Sequence, residues 1–320
     1  MTTEPVPVSA SLGKIGVLRE NVECVIRGKD EVVRLVTAAM LARGHILLED
    51  VPGVGKTTLA HALATSVSLD FQRVQFTSDL LPADIIGVTI YNQEEHEFEF
   101  VRGPIFTNVL LADEINRATP KTQSALLEAM NESMVTIEKQ RLTLPDPFLV
   151  IATQNPIEHV GTYPLPESQL DRFLMKVTLG YPSGEDERQI LRTGGGQTAL
   201  ESMKPTMTVD ELLELQDQTP NVHVEERLVD YMMEIVHATR SHPSTTLGVS
   251  TRGALAYFRA CQALAMVRER DFVTPDDVKD LAVPVLSHRI VLATRGVMRP
   301  ERDTADRIVQ KIVDGIAVPR

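Results

Sequence analysis

One eight-residue loop constrains this chain more than any other feature of its sequence. The loop reads Asp50-Val51-Pro52-Gly53-Val54-Gly55-Lys56-Thr57. It follows an apolar run over residues 45–49 and precedes a helical pattern that begins at Thr58. In such a strand–loop–helix context, backbone N–H groups converge on phosphate oxygens. The sequence therefore predicts a nucleotide-binding α/β domain, with residues 50–58 holding the phosphates.

Individual residues of this loop have separate predicted roles. Lys56 is expected to reach the β- and γ-phosphates of ATP, and Thr57 is expected to hold Mg²⁺. Gly53 and Gly55 allow the backbone to approach the phosphates closely. Asp50 stands where the usual pattern has its first glycine, so its carboxylate has to point away from bound phosphate. The alternative interpretation is a glycine-rich turn that carries a Lys-Thr pair by chance.

Polar residues also follow two later apolar runs. Asp113 and Glu114 follow the run over 108–112, and Asn155 follows the run over 148–153. Ligands of open α/β sheets bind beyond the carboxyl ends of the strands. We expect Asp113 to hold the hydration shell of Mg²⁺, Glu114 to activate the attacking water and Asn155 to orient that water. The alternatives are a solvated strand end for the acids and an Asn-Pro turn for Asn155.

Five short apolar runs alternate with helical patterns before residue 194. They span residues 45–49, 71–76, 108–112, 148–153 and 173–179. This alternation predicts an α/β fold with a five-stranded parallel sheet and helices on both faces. The segments over 88–100 and 135–144 have the pattern of two β-hairpins inserted into this core.

The remainder of the chain has helical periodicity only. The glycines at 194–196 predict a linker over 194–204. A small all-α lid domain is expected over 205–320, with Thr208 capping one helix and Pro275 beginning another. The predicted domains are therefore a core over 1–193, the linker and the lid.

The composition argues against several classes of function. The net charge is −12, aromatic residues make up 4% of the chain, and there is no Trp. Because nucleic-acid binding relies on clustered basic and aromatic side chains, a nucleic-acid partner is not expected. No apolar run is long enough to cross a membrane, so we expect a cytoplasmic protein without membrane association. Cys24 and Cys261 are expected to be small core residues.

Taken together, these motifs resemble those of the AAA+ ATPases, in which a P-loop core precedes a helical lid. The order of phosphate loop, acidic pair and polar residue is the same here. Residues 113–130, which read DEINRATPKTQSALLEAM, are similar to the MoxR family within this class, as are 80–87, 100–106, 151–156 and 274–278. The likeness extends over about residues 25–292.

The resemblance implies roles for residues outside the phosphate loop. Arg172 resembles the arginine finger that one subunit of a ring donates to the next, and Arg252 resembles the second sensor on the lid. Whether Arg252 acts on its own or on a neighbouring nucleotide is left open. The alternatives are an ion pair of Arg172 with Asp171 or Glu167 and a solvated helix start for Arg252.

The resemblance also places Ile26 and Arg27 beside adenine, although a loop between two helices is the simpler interpretation. The acidic hairpin around Glu95 is interpreted as a solvated tip in preference to a pore contact.

The resemblance further implies an ATP- and Mg²⁺-dependent homo-oligomeric ring, a hexamer, that remodels or matures a protein client with a chaperone-like action. A protein with a von Willebrand factor A domain is the implied partner. The alternative functions are a nucleic-acid-remodelling AAA+ motor and a magnesium-chelatase-like ATPase subunit, which share the two hairpin inserts. Lys139 and Arg141 would be the basic contacts of a motor.

Overall fold

The computed structural model describes residues 8–137, 140–156, 161–193, 196–293 and 304–319. The strands are β1 (His45–Glu49), β2 (Phe71–Gln75), β3 (Gly87–Asn92), β4 (Glu97–Arg102), β5 (Val109–Asp113), β6 (Met134–Ile137), β7 (Gln140–Thr143), β8 (Leu149–Gln154), β9 (Phe173–Val177), β10 (Thr245–Leu247) and β11 (Val291–Leu292). The helices are α1 (Val8–Glu23), α2 (Asp30–Leu41), α3 (Lys56–Ser66), α4 (Pro82–Ile86), α5 (Pro120–Glu132), α6 (Glu167–Leu170), α7 (Gly184–Thr193), α8 (Gly196–Glu201), α9 (Val209–Gln218), α10 (Glu226–Ser241), α11 (Thr251–Val267), α12 (Pro275–Leu286) and α13 (Ala305–Gly315). Short 3₁₀ turns lie at Ile115–Arg117, Thr219–Asn221 and Ser287–Arg289.

The core of the fold is the predicted five-stranded parallel sheet, in the order β2-β5-β8-β1-β9. All pairings within it are parallel. Its central strands are buried on both faces because successive side chains point to opposite sides and helices cover each side. The predicted α/β fold with its five strands is therefore confirmed, with strand boundaries displaced by no more than two residues.

Two apolar layers lie on the two faces of the sheet. Alternate residues such as Leu47 and Leu110 pack against α5, whereas their neighbours Ile46 and Leu111 face α1, α2 and α3. The second layer continues without interruption into the lid, where Tyr257 and other side chains of α11 are buried in the same cluster. Because one apolar core spans core and lid, buried apolar surface stabilises the contact between the lid and the sheet.

Both predicted hairpins are present. β3 pairs antiparallel with β4, and β6 pairs antiparallel with β7. Gly87 closes the base of the first hairpin with a φ of 116°, and a Cβ atom there would overlap the Val101 carbonyl. The residues at 138–139, which include the basic contact considered at Lys139, lie outside the described part of the chain.

The lid differs from the expectation in two details. β10 and β11 form a short antiparallel pair, although only helices were expected after the break. Within the expected linker, Gly196–Glu201 forms a helix, because Ala199 and Leu200 pack against the apolar core. The Thr208 cap is confirmed, since its side chain accepts from the Glu211 N–H.

The cysteine prediction is half right. Cys261 is buried in α11, as expected. Cys24 is exposed, because it follows the last residue of α1 and its side chain is not part of the apolar face of that helix. The expectation that both cysteines belong to the core is therefore wrong for Cys24.

Candidate functional site

The loop between β1 and α3 has the conformation that phosphate binding requires. Gly53 and Gly55 have φ values of 85° and 97°, in the left-handed region that favours glycine. A Cβ atom on either glycine would meet no other atom within 4 Å, so the loop faces open space. Helix α3 begins at Lys56, which directs its unpaired N–H groups and the positive end of its dipole into that space.

Asp50, the residue that departs from the usual pattern, is turned away from this space. It is buried, its Oδ1 atom accepts a hydrogen bond of 2.8 Å from the Val51 N–H, and its Oδ2 atom accepts one of 2.6 Å from the Gly180 N–H. Two backbone donors therefore stabilise the carboxylate. They also connect the phosphate loop to the turn that follows β9.

Lys56 lies across the mouth of the loop. Its Nζ atom donates a 2.8 Å hydrogen bond to the Asp50 carbonyl oxygen. Partial burial lowers the pKa of Lys56, while the charges of Asp113, Asp50 and Glu114 act in the opposite direction. The ammonium group thus lies beside the space where phosphate charge is expected.

Asp113 ends β5 and its carboxylate is already engaged. The Thr153 hydroxyl donates to Oδ1 at 2.6 Å, and the Arg73 guanidinium donates to Oδ2 at 2.6 Å from Nη2 and 3.2 Å from Nε. Thr153 also accepts from the Glu114 N–H at 2.9 Å. Three neighbouring strands thus fix the orientation of the acidic pair.

Glu114 has a left-handed backbone, with φ 57° and ψ 47°. For a residue with a Cβ atom this conformation is uncommon and is found mostly where a side chain has to be aimed. Its Oε2 atom accepts from Gln75 Nε2 at 2.8 Å and lies 3.0 Å from Arg117 Nε. In this arrangement the carboxylate is held by polar neighbours beside the phosphate loop.

These groups surround one cavity of about 390 Å³ beyond the carboxyl ends of the strands. Its lining consists of Pro52, Gly53, Gly55, Lys56, Thr57, Thr58, Arg73, Gln75, Asp113, Glu114 and Asn155. A hydroxyl and one carboxylate suit Mg²⁺, which keeps several waters and takes other ligands from the phosphates of its nucleotide. The described residues contain no cluster of three or more His, Cys, Asp or Glu side chains that could hold a metal ion. Thr57 and Asp113 thus fit Mg²⁺ bound together with ATP.

The segment expected near adenine lies beside this cavity. Ile26 is buried and Arg27 is exposed, in the connection between α1 and α2. A Cβ atom on Gly196 would lie 3.1 Å from the Thr58 side chain and 3.3 Å from the Val25 carbonyl, so α8 fills the space between that connection and the loop. The geometry brings the 26–27 segment to the side of the phosphate loop.

Arg172 lies away from the cavity. It precedes β9 at the amino edge of the sheet, and its Nη1 atom donates to the Leu127 carbonyl of α5. Asp171, which could have paired with it, instead forms a 2.8 Å ion pair with Arg289. The simple local ion pair with Asp171 is therefore not formed.

Arg252 is also on that side of the molecule. It is exposed in the first turn of α11, which Ser250 caps by accepting from the Gly253 N–H at 3.0 Å. The Ser250 hydroxyl also donates to Asp171 Oδ2 at 3.3 Å. The structure thus places the start of α11 next to the Arg172 segment.

Sequence reasoning missed three side chains of the cavity region. Arg73 and Gln75 alternate on β2, and Thr153 lies near the end of β8. For Arg73 and Gln75 the available signal was their spacing of two positions, because residues at that spacing share one face of a strand. Their role depends on β2 pairing with β5, which brings Gln75 opposite Asp113.

The fold and the cavity define a P-loop ATPase with a helical lid. Family models agree: the one described as "ATPase family associated with various cellular activities (AAA)" matches residues 45–175, and the "AAA lid domain" matches residues 237–312. The chain belongs to the MoxR family of AAA+ ATPases, as the following relatives show, and it is an ATP hydrolase.

The chain is similar over most of its length to two curated relatives and to one crystal structure. The uncharacterized protein YeaC of Bacillus subtilis is 48% identical over 305 residues, which cover 95% of each chain. Chaperone MoxR1 of Mycobacterium tuberculosis is 42% identical over 308 residues, or 93% of this chain and 81% of the relative. An ATPase candidate from Cytophaga hutchinsonii superimposes with a TM-score of 0.89 at 38% identity, covering 98% and 97% of the two chains.

None of the helices in the described part of the chain combines the length and the apolar character that a bilayer crossing requires.

Proposed function

We propose that this ATPase acts as a homo-oligomeric ring, a hexamer, that remodels or matures a protein client in a chaperone-like manner. The observation that carries the proposal is the separation of its functional groups across the sheet. The phosphate loop follows β1 at the carboxyl edge, whereas Arg172 precedes β9 at the amino edge. A second subunit is therefore needed to bring an arginine of this kind to bound ATP.

The geometry of β1 and β9 gives this separation a scale. His45 pairs with Phe173, so Arg172 lies near the start of β1. This start, at His45, is five residues before Asp50 in the chain. At about 3.3 Å per residue the two edges are roughly 16 Å apart. An arginine side chain does not span that distance, which supports a finger acting between subunits.

Within one subunit, five residues have assigned roles. Lys56 binds the β- and γ-phosphates, Thr57 and Asp113 hold Mg²⁺ and its waters, and Asn155 orients the attacking water. Glu114 accepts the proton of that water. Bound Mg²⁺ neutralises charge on the phosphates. For Glu114 to act, its carboxylate has to leave Gln75 and Arg117.

Arg172 and Arg252 complete the site of the neighbouring subunit. The contact between Ser250 and Asp171 places both arginines on one edge, which supports Arg252 acting on the neighbour's nucleotide as well. Positive charge there stabilises the negative charge that develops on the transferring phosphoryl group. In the same site, Ile26 and Arg27 contact adenine. The chain is divided into the core over 1–193, the linker over 194–204 and the lid over 205–320.

A protein client suits the surface chemistry better than nucleic acid. The net charge of −12 repels phosphate backbones, and the β3–β4 hairpin carries further carboxylates at its tip. The relative named Chaperone MoxR1 supports a chaperone role. A protein with a von Willebrand factor A domain is the proposed partner class, and the cytoplasm is the proposed location.

Mixing two inactive variants tests the ring. Subunits with Arg172→Ala keep their own ATP site, and subunits with Lys56→Ala keep Arg172 but lose theirs. We expect little hydrolysis from either alone and partial recovery when they are mixed, because the second variant supplies fingers to the first. Native mass spectrometry of the mixture reports ring size and co-assembly. Mixed rings without recovered hydrolysis would contradict a finger acting between subunits.

Trapping the ATP state tests the client. Glu114→Gln protein loaded with ATP is used to capture partners from host lysate, with and without nuclease, beside Lys56→Ala protein as the control. We expect a nuclease-resistant protein that is enriched only on the trapping variant. Recovery that disappears with nuclease would favour the nucleic-acid motor instead.

A further inference from the structure

A single buried guanidinium joins the lid to the segment that carries Arg172. Arg289, in the 3₁₀ turn that follows α12, is only 5% exposed. Its Nε atom donates to Asp171 Oδ1 at 2.8 Å, and its Nη2 and Nη1 atoms donate to the carbonyls of Phe173 at 2.6 Å and Leu174 at 3.0 Å. Its Nη1 atom also donates to the Val285 carbonyl of α12, so the guanidinium connects the lid to the residues around the start of β9.

The second oxygen of Asp171 reaches the helix that carries Arg252. Ser250 Oγ donates to Asp171 Oδ2 at 3.3 Å and simultaneously caps α11 through the Gly253 N–H. One carboxylate thus accepts from the 3₁₀ turn after α12 through Arg289 and from the start of α11 through Ser250. It directly precedes Arg172 in the chain.

Close packing keeps α11 against this ion pair. A Cβ atom on Gly253 would lie 2.8 Å from the Cδ atom of Arg289, closer than carbon atoms normally approach. Only glycine therefore allows the first turn of α11 to rest on the arginine. Burial lowers the pKa of Arg289, Asp171 acts in the opposite direction, and the charge of Arg252 lowers it further.

Because Arg289 is buried, it depends on Asp171 as its ion-pair partner. A buried guanidinium is strongly unfavourable unless a carboxylate and carbonyl oxygens surround it, so loss of Asp171 leaves an uncompensated charge. The neighbouring Lys176–Asp306 ion pair also joins β9 to a lid helix, α13, but it is more exposed and has a distance of 3.5 Å. The chain thus contains a second lid-to-strand ion pair that touches neither Arg172 nor Ser250.

We propose that Asp171 and Arg289 are positioning residues that hold Arg172 and Arg252 as one rigid pair for the neighbouring subunit's ATP. The inference rests on the proposed function, in which both arginines act between subunits. Because the ion pair bridges the lid and the core, a movement of the lid shifts both arginines together. The lid of one subunit thereby controls hydrolysis in the next.

The test uses the mixed rings with altered donor subunits. The recipient carries Arg172→Ala and Arg252→Ala, so it has an intact ATP site and no arginines to give. The donor carries Lys56→Ala alone, or with Asp171→Asn, or with Asp306→Asn as the matched control. We expect Asp171→Asn to lower the recovered hydrolysis at least about tenfold, because small displacements of positioned groups have large effects on rate. Asp306→Asn should leave the recovery as in the plain donor.

Separate readouts distinguish positioning from damage to the fold. In otherwise native protein, Asp171→Asn should lower kcat and leave ATP affinity unchanged, since the phosphate loop lies at the opposite edge of the sheet. Native mass spectrometry and thermal unfolding show whether the donor folds and joins the ring. If Asp171→Asn does not assemble, Arg289→Lys takes its place, because lysine keeps the charge but cannot donate to Asp171 and both carbonyls at once.

The outcomes separate the two proposals. No recovery with the plain donor overturns the exchange of arginines between subunits. Recovery with the plain donor that is equal with the Asp171→Asn or Arg289→Lys donor overturns the positioning role alone. An equal loss with Asp306→Asn overturns it too, because general loosening of the lid would then explain the effect.

Discussion

The Nη2 atom of Arg73 lies 2.6 Å from the Oδ2 atom of Asp113, so a guanidinium holds the carboxylate that is expected to carry the magnesium shell. The two residues are 40 positions apart and meet because β2 and β5 are neighbours in the sheet. The Arg73 guanidinium and Mg²⁺ with its waters are both positively charged, and both would use the lone pairs of this one carboxylate. The ion pair therefore competes with metal loading.

We expect Arg73→Gln to lower the Mg²⁺ concentration that half-saturates ATP hydrolysis. The Arg73 side chain is 49% exposed, so the competing ion pair is screened and the expected shift is about two- to fivefold. Magnesium titrations of the ATPase rate at saturating ATP measure it. A requirement for more Mg²⁺ would instead indicate that Arg73 contacts the nucleotide.

We expect Glu114→Gln to bind ATP normally and to hydrolyse it about a hundredfold or more slowly, because an amide does not accept the proton of the attacking water. Equilibrium binding of a fluorescent ATP analogue and single-turnover hydrolysis measure the two properties. The exposed Glu128→Gln on α5 serves as the control and should behave like the native protein. Unchanged turnover in the Glu114 variant would contradict the role of Glu114 as the group that accepts the proton of the attacking water.

We expect Asp50→Gly, which restores the usual phosphate-loop residue, to destabilise the protein. It deletes both acceptors of the Val51 and Gly180 N–H groups, at a cost of about 2–4 kcal/mol in the free energy of unfolding. Asp50→Asn keeps one acceptor, so its free energy of unfolding should lie between those of the native protein and of the glycine variant. Chemical denaturation of the three proteins gives the order, and ATP affinity should fall in the same order. Equal stability of the glycine variant would show that neither hydrogen bond matters.

We expect the protein to lose stability as the pH falls from 6.5 towards 4, in part through His45. Its ring is buried, Nε2 faces the Met130 carbonyl and Nδ1 accepts from the Val150 N–H. Burial lowers the pKa of His45 from 6.5 to about 4, so in this window the unfolded chain takes up a proton that the folded chain does not. The linked loss is at most about 3 kcal/mol and is complete near pH 4.

His45→Gln isolates this contribution, since glutamine offers a donor and an acceptor but does not titrate. Denaturation at several pH values should show native protein and variant converging in stability below pH 6.5. Parallel pH profiles for the two proteins would contradict the role of His45. Buried His288 has a pKa lowered by burial as well, so the variant keeps part of the acid sensitivity.

Much of the fold and of the phosphate site could be read from local patterns. The runs that became β1 and β5, the loop ending at Lys56 and the acids at 113–114 all depend on residues adjacent in the chain. Gly53 and Gly55 adopt left-handed backbone because no other residue type does so readily. Such preferences act over a few residues and are therefore visible in one sequence.

The partners of those residues could not be read in this way. The sequence alone determined a P-loop core with an acidic pair and a lid, because periodicity and backbone sterics are local. Only the tertiary structure decided that Arg73 engages Asp113 and that Asp171 pairs with Arg289 across 118 positions and not with adjacent Arg172. Strand order and lid packing determine which distant side chains share a buried, low-dielectric space, and no local pattern encodes that choice.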